Sequence, residues 1–257
     1  MKLLMVSLGC DKNLCDTEAM LGLMLKHGFE FTDDEEQADV IVINTCAFIG
    51  DAKEESINTI LQMARHKTEN GGRCRALVCT GCLAQRYHDE MREELPEVDA
   101  IVGTTAIDKV VDAINAVLAG KNESYLESVD RLALIDESRI VTTGGHYAYL
   151  KIAEGCDKHC SYCIIPKLRG SYRSVPMERL IKEAIDLTHK GVRELILVAQ
   201  ETTLYGVDIY GRKMLPGLLK ELCRIEDLKW IRLLYCYPEE ITDELINTIR
   251  DEDKICN

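Results

Sequence analysis

The chain has 257 residues, 46% hydrophobic and 29% charged, with a formal net charge of −13. That length suits two ordinary domains, and no run approaches the roughly 18–20 apolar residues of a membrane-spanning helix, so no membrane association is expected. The acidic balance argues against direct nucleic-acid binding, which basic domains achieve through phosphate contacts, and suits a basic partner or simple solubility. Met1-Lys2 leads straight into a strand-like run, without the charged and long apolar regions of a secretory leader. A cytoplasmic, reducing location is therefore expected, where twelve cysteines point to metal binding more than to disulfides. No internal repeat or low-complexity tract is present.

In chain order, Leu3 to Leu8 reads as a buried strand ending in a turn at Gly9-Cys10. Asp16-Thr17-Glu18 then opens a helix with Ala19, Met20, Leu23 and Met24 on one face, closed by Gly28. Val40 to Asn44 is a continuous apolar run, the mark of a strand covered on both faces, and it ends at Thr45-Cys46. A helix from about Asp51 carries Ile57, Ile60, Leu61 and Ala64 at helical spacing and breaks at Gly71-Gly72. A third strand, Ala76 to Cys79, runs into Thr80-Gly81-Cys82. After another helix, Asp99 to Gly103 forms a fourth strand, followed by a helix with Ile107, Val110, Val111, Ile114, Val117 and Leu118 on one face.

This alternation implies a parallel sheet wound with helices over residues 1–120, and ligands gather beyond the carboxyl ends of such strands. Cys10, Cys46 and Cys82 each fall one to three residues past a different strand, on one edge of the sheet. Any one of them alone could be a buried structural thiol; their common placement makes them candidate metal ligands. Cys15, Cys74, Cys79, Cys223, Cys236 and Cys256 read as packing residues. Residues 121–145, charged and ending near Gly144-Gly145, read as a linker.

The βα alternation resumes over residues 146–257, with strands Tyr147 to Ala153, Leu195 to Ala199 and Trp230 to Tyr235. The helices are one opened by Pro176 and closed by Gly191, one near Leu215 to Cys223, and one from about Thr242. These are three βα units of a barrel, whose chemistry belongs in the loops after the strands. A fourth strand starts near Asp253, and a half-built barrel is expected to be a fragment.

The first of those loops carries Cys156, Cys160 and Cys163 in a CxxxCxxC spacing, with Tyr162 just before the last cysteine. Three thiolates are one ligand short of the four that a closed zinc site or a cubane iron–sulfur cluster takes from protein. The spacing fits poorly with paired zinc knuckles. A zinc site completed by His159 or a distant residue, in a non-enzymatic binding module, remains the alternative. Gln200, after the second strand, is a candidate ligand contact, or else an amide that caps its loop; Tyr162 is either a ligand contact or a core aromatic.

The CxxxCxxC loop with its aromatic resembles the radical S-adenosylmethionine superfamily. Three further stretches are similar to the N-terminal domain of methylthiotransferases: Leu8-Gly9-Cys10-Asp11-Lys12-Asn13; Thr45-Cys46-Ala47-Phe48-Ile49; and Gly81-Cys82-Leu83-Ala84-Gln85-Arg86. Within that family, Ala199-Gln200-Glu201-Thr202-Thr203-Leu204-Tyr205-Gly206 and Ile164-Ile165-Pro166-Lys167-Leu168-Arg169-Gly170 look like the RimO-like branch rather than the MiaB-like branch that acts on transfer RNA, although Glu201 stands where the branch usually has Asp. The resemblance implies an N-terminal parallel-sheet α/β domain and the first half of a radical-SAM βα barrel of partial TIM type. The later barrel strands and the C-terminal TRAM domain have no counterpart.

It also implies two 4Fe-4S clusters, one on Cys156, Cys160 and Cys163 that cleaves S-adenosylmethionine, and an auxiliary one on Cys10, Cys46 and Cys82 that presents sulfur. The implied reaction is methylthiolation of an aspartate β-carbon in ribosomal protein S-twelve, with Tyr162 near the adenine and Gln200 as a second S-adenosylmethionine contact. An electron donor such as flavodoxin or ferredoxin is the further partner expected.

Overall fold

The computed structural model describes every residue except Leu134, Glu137 and Asn257. It divides into two compact units: Met1–Ile140 with Lys167–Arg169, and Val141–Pro166 with Gly170–Asn257.

Among the described residues of the first unit, the strands are β1 (Lys2–Ser7), β2 (Glu30–Phe31), β3 (Val40–Thr45), β4 (Ala76–Gly81), β5 (Ala100–Val102) and β6 (Ser124–Tyr125). They form one sheet in the order β2-β1-β3-β4-β5-β6, every pairing parallel. The helices are α1 (Asp11–Lys26), α2 (Gly50–Ala64), α3 (Cys82–Arg86), α4 (His88–Glu94) and α5 (Val110–Leu118). Leu3, Val40, Val42, Ala76 and Val78 share one buried cluster with Met20 and Met24 of α1 and Val110 and Ile114 of α5. The alternate residues Ile41, Ile43, Leu77 and Cys79 are equally buried, on the face that α2 covers. Burial on both faces explains why β3 and β4 are unbroken apolar runs; each such Val, Ile or Leu contributes about 1.5–3 kcal/mol over exposure. The strand order reverses between β1 and β3, and a doubly wound sheet opens a crevice at the carboxyl ends at such a point.

Helix α1 starts at Asp11, not at Asp16-Thr17-Glu18. Those three residues look like an N-cap in sequence but are buried inside the helix, where Asp16 and Thr17 serve the site described below and the Glu18 carboxylate lies 3.6 Å from the Arg139 guanidinium. Leu61, expected on the buried face of α2, is exposed.

The stretch 121–145 divides. Ser124 and Tyr125 pair with Ile101 and Val102. The Arg131 guanidinium grips the Asp108 carboxylate at 2.7 and 2.6 Å, and the Ile140 amide donates to the Glu18 carbonyl at 3.1 Å. The first unit thus runs through Ile140, and positions 134 and 137 lie outside the described residues.

In the second unit the described strands are β7 (Tyr147–Lys151), β8 (Ala153–Glu154), β9 (Arg173–Ser174), β10 (Glu194–Val198) and β11 (Trp230–Leu233). Helix α6 (Ile165–Arg169), whose last three residues cluster with the first unit, is followed by α7 (Met177–His189), α8 (Val207–Tyr210), α9 (Leu215–Cys223) and α10 (Asp243–Asp251). A parallel sheet in the order β11-β10-β7 buries Ala148, Leu150, Leu195 and Leu197 completely, as are Leu180, Leu218 and Leu222 on the helices. Thr242 caps α10, its hydroxyl accepting from the Leu245 amide at 3.2 Å. Ile255 bridges Ile231 in parallel, so the chain does enter a fourth strand position; Asn257 lies outside the described residues. This is a partial βα barrel. The short antiparallel pair of β8 and β9 was not foreshadowed by the sequence.

The Arg131 hydrogen bonds hold the Asp108 carboxyl below its ordinary value. A carboxylate with a depressed folded pKa stabilises fully above the unfolded carboxylate range and loses that stabilisation as pH falls through the folded value. Asp108→Asn should therefore cost about 1 kcal/mol at neutral pH, with variant and parent converging at strongly acid pH in urea unfolding.

Candidate functional site

Because β1, β3 and β4 are adjacent and parallel, the segments leaving their carboxyl ends emerge along one edge. Cys10 is the residue before α1, Cys46 follows β3 directly, and Cys82 follows β4 and opens α3. Cys10 is exposed; Cys46 and Cys82 are buried. Burial pushes the Cys46 thiol up, with a further upward contribution from Cys10, while Arg169 pulls it down. Burial also raises the Cys82 thiol, against Arg169, with Cys46 and Cys10 adding to the rise. The three thiols therefore feel one another.

The polar groups around them are fixed. Asn13, fully buried on the first turns of α1, donates from Nδ2 to the carbonyls of Leu8 and Thr45, at 3.0 Å each. Asn44 returns a bond from its Nδ2 to the Asn13 carbonyl at 2.8 Å, and reaches the Thr17 hydroxyl at 3.0 Å. The Ser56 hydroxyl on α2 clamps Cys46, accepting from its amide at 3.0 Å and donating to its carbonyl at 2.9 Å. Gly9, at φ +90°, lies against Cys46: an added Cβ would stand 2.7 Å from the Cys46 Cβ and 3.0 Å from its Sγ. Only glycine combines that backbone with that approach. Arg169, 2% exposed, donates from Nη2 to the Asn13 Oδ1 and lies 3.6 Å from the Cys82 Sγ. Its Nη1 donates to Asp16 Oδ2 at 2.8 Å.

In the second unit the pair of β8 and β9 closes the neck of the loop that carries Cys156, Cys160 and Cys163. The Cys156 amide donates to the Gly170 carbonyl at 3.1 Å, and the Tyr172 amide to Asp157 Oδ1 at 3.0 Å. Gly155, at φ +80°, has the Ser171 carbonyl oxygen 2.0 Å from where a Cβ would be. Cys156 is buried, Cys160 and Cys163 half-buried. Burial raises the Cys156 thiol, with further upward contributions from Cys163, Glu201 and Cys160. The Tyr237 hydroxyl lies 3.5 Å from the Cys160 Sγ. His159, inside the loop, is held at φ +48°, a conformation that costs a non-glycine residue of order 1 kcal/mol and is common at ligand sites.

Gln200 donates from Nε2 to Glu154 Oε1 at 2.9 Å, while its own Oε1 is buried without a hydrogen-bond partner. Glu201 is fully buried; its Oε1 accepts from the Thr203 amide at 3.0 Å, and its Oε2 has no partner. Two acceptors thus lie unpaired next to the cysteine loop, an arrangement that costs folding energy unless a donor arrives. Tyr162 is 87% exposed, which disposes of the core-aromatic reading. Among the described residues no three Cys, His, Asp or Glu side chains form a group that would hold a metal ion as they stand, and no helix is long and apolar enough to cross a membrane.

Sequence reasoning assigns no site role to Asn13, Arg169 or Tyr237, and marks Glu201 only as a departure from the branch's usual Asp. Asn13 and Arg169 lie inside stretches that attracted notice for their pattern, yet nothing local says that an arginine after the cysteine loop is buried against Cys82.

Residues 2–103 match the uncharacterized protein family UPF0004 and residues 150–255 the radical SAM superfamily. The chain is 60% identical over 257 residues to the ribosomal protein uS12 methylthiotransferase RimO of Lachnoclostridium phytofermentans, covering 100% of this chain and 58% of that protein. It is 51% identical to the RimO of Clostridium tetani, covering 98% of this chain and 56% of that one. The chain thus spans just over half the length of these relatives. In fold it is similar to the radical S-adenosylmethionine methyltransferase TsrM of Kitasatospora setae, with a TM-score of 0.63 at 14% identity, over 99% of this chain and 58% of that one. It is also similar to the cobalamin-dependent S-adenosylmethionine radical enzyme OxsB, with a TM-score of 0.54 at 12% identity, over 97% of this chain and 41% of that one.

Asn13→Ala strands the Leu8 and Thr45 carbonyls and should cost about 2–6 kcal/mol in denaturant unfolding, since each buried unpaired group costs about 1–3 kcal/mol. Asn13→Asp keeps the shape but replaces the donor with an acceptor facing two carbonyls, and should be at least as damaging.

Proposed function

We propose, for a chain that belongs to the radical S-adenosylmethionine methylthiotransferases of the RimO type, that its protein adds a methylthio group to the β-carbon of an aspartate in ribosomal protein S-twelve. The observation that carries this reading is the doubling of one donor set. Cys10, Cys46 and Cys82 lie at adjacent strand ends of one unit, and Cys156, Cys160 and Cys163 lie in the first strand loop of the other. Each set offers three soft thiolates and leaves a fourth position to something that is not protein. A structural zinc site is instead closed by four protein ligands, and neither set has a fourth cysteine in its loop.

In this reading Cys156, Cys160 and Cys163 hold a 4Fe-4S cluster, and Cys10, Cys46 and Cys82 hold a second. Such clusters, when bound, supply the one-electron chemistry that an unactivated carbon–hydrogen bond requires and that no side-chain base can provide at neutral pH. The chain's own part is to bind and orient. The unpaired Oε2 of Glu201 and Oε1 of Gln200 suit an ammonium donor such as the amino group of S-adenosylmethionine, and Glu154 holds the Gln200 amide so that its oxygen is presented. Tyr162, exposed in the loop, is the proposed adenine contact. An electron donor such as a flavodoxin or ferredoxin, and a cytoplasmic location, complete the proposal.

Glu201→Gln removes the negative charge but keeps the shape; S-adenosylmethionine binding should weaken about tenfold or more, roughly 1.4 kcal/mol, in equilibrium dialysis, with the fold intact by circular dichroism. The substrate is tested by offering intact ribosomal protein S-twelve and transfer RNA separately to the full-length enzyme with reductant, sulfide and S-adenosylmethionine. Methylthiolation of the protein at one aspartate is expected. Modification of the RNA alone would overturn the assignment in favour of a MiaB-like enzyme.

A further inference from the structure

We infer that Arg169 is a positioning residue for the group held by Cys10, Cys46 and Cys82: a buried, permanently charged guanidinium that hydrogen-bonds the Cys82 sulfur and sets the reduction potential there. The inference rests on the reading of those three cysteines as cluster ligands and adds to it a residue from a distant part of the sequence.

Arg169 is 2% exposed and its partner Asp16 is equally buried. An arginine cannot shed its charge on burial, so a buried one is retained where its charge is used or matched. Here the match is divided. Nη1 donates to Asp16 at 2.8 Å, whereas Nη2 is aimed at the Asn13 Oδ1 and lies 3.6 Å from the Cys82 Sγ. Because Asn13 also fastens the Leu8 and Thr45 carbonyls, the guanidinium is fixed to the same frame as the thiols. Nearby, the Thr104 hydroxyl on the loop after β5 donates to the Leu168 carbonyl at 3.0 Å, which pins the backbone that presents Arg169.

Three thiolates on a 4Fe-4S core leave a net negative site, more so when reduced, in a pocket where Cys46 and Cys82 are buried. A cation donating N–H to a ligand sulfur favours the reduced, more negative state, and hydrogen bonds to sulfur are a principal control of such potentials. Asp16 acts in the opposite sense on the same cation.

The test uses the chain with Cys156, Cys160 and Cys163 replaced by alanine, reconstituted anaerobically, so that only the first-unit cysteines can hold iron. Redox titration followed by electron paramagnetic resonance should show Arg169→Gln shifting the potential to more negative values, Asp16→Asn shifting it to more positive values, and Arg169→Lys lying between parent and Arg169→Gln. A residue with a merely structural role would not move two neighbours' variants in opposite directions. In the same triple-alanine chain with Arg169 kept and labelled with 15N-arginine, the reduced cluster should show a nitrogen coupling that Arg169→Lys abolishes; this reading stands even if Arg169→Gln does not fold. Retained iron with unchanged potentials and no such coupling would overturn the inference alone. Failure of the parent to take up iron would overturn it together with the assignment of Cys10, Cys46 and Cys82.

Discussion

The Asn13 carboxamide is the interaction on which the first site depends. Parallel strands end with carbonyls that no neighbouring strand satisfies, and three such ends meet beyond β1, β3 and β4. One buried side chain bonds two of them, Leu8 and Thr45, and turns its oxygen toward Arg169 and Cys82. Asn44 and Ser56 complete the frame from β3 and α2. The cysteines are thereby carried on loops with little freedom, so the ordering entropy of the site is met during folding and not at the moment of ligand binding.

The two cysteine sets reach a similar arrangement by opposite routes. Cys156, Cys160 and Cys163 are neighbours in sequence, and the problem is to fold a short loop back on itself. β8, β9 and the closely packed Gly155 do this by clamping the loop's two ends. Cys10, Cys46 and Cys82 are far apart in sequence, and the sheet brings them together by topology. The reversal of strand order between β1 and β3 opens the edge where the first two lie, the place where doubly wound sheets receive ligands.

Much of this was legible in the residues. The apolar runs of β3 and β4 announced strands buried on both faces, and the alternation with helices put their cysteines on one edge. The helical face of Val110, Ile114 and Val117 was equally plain. What was hidden shares a physical cause: polar residues whose role is tertiary. Asp16-Thr17-Glu18 resembles a helix start because such residues usually cap, yet here they are buried within α1 and pair across the structure. Ser124-Tyr125 is too short to read as a strand until β5 is beside it. The unpaired carboxylate oxygen of Glu201 and the buried charge of Arg169 are properties of an environment, and no local pattern encodes them. Tyr162 shows the converse: in sequence it reads as a ligand contact or a core aromatic, and its exposure to solvent removes the second reading.

Iron content with Mössbauer spectroscopy on the anaerobically reconstituted chain tests the central claim most directly. Two 4Fe-4S clusters require about eight irons per chain, falling to about four when Cys10, Cys46 and Cys82 are replaced and to about four when Cys156, Cys160 and Cys163 are replaced instead. A colourless protein holding a single zinc, or about four irons that do not respond to loss of Cys10, Cys46 and Cys82, would contradict it.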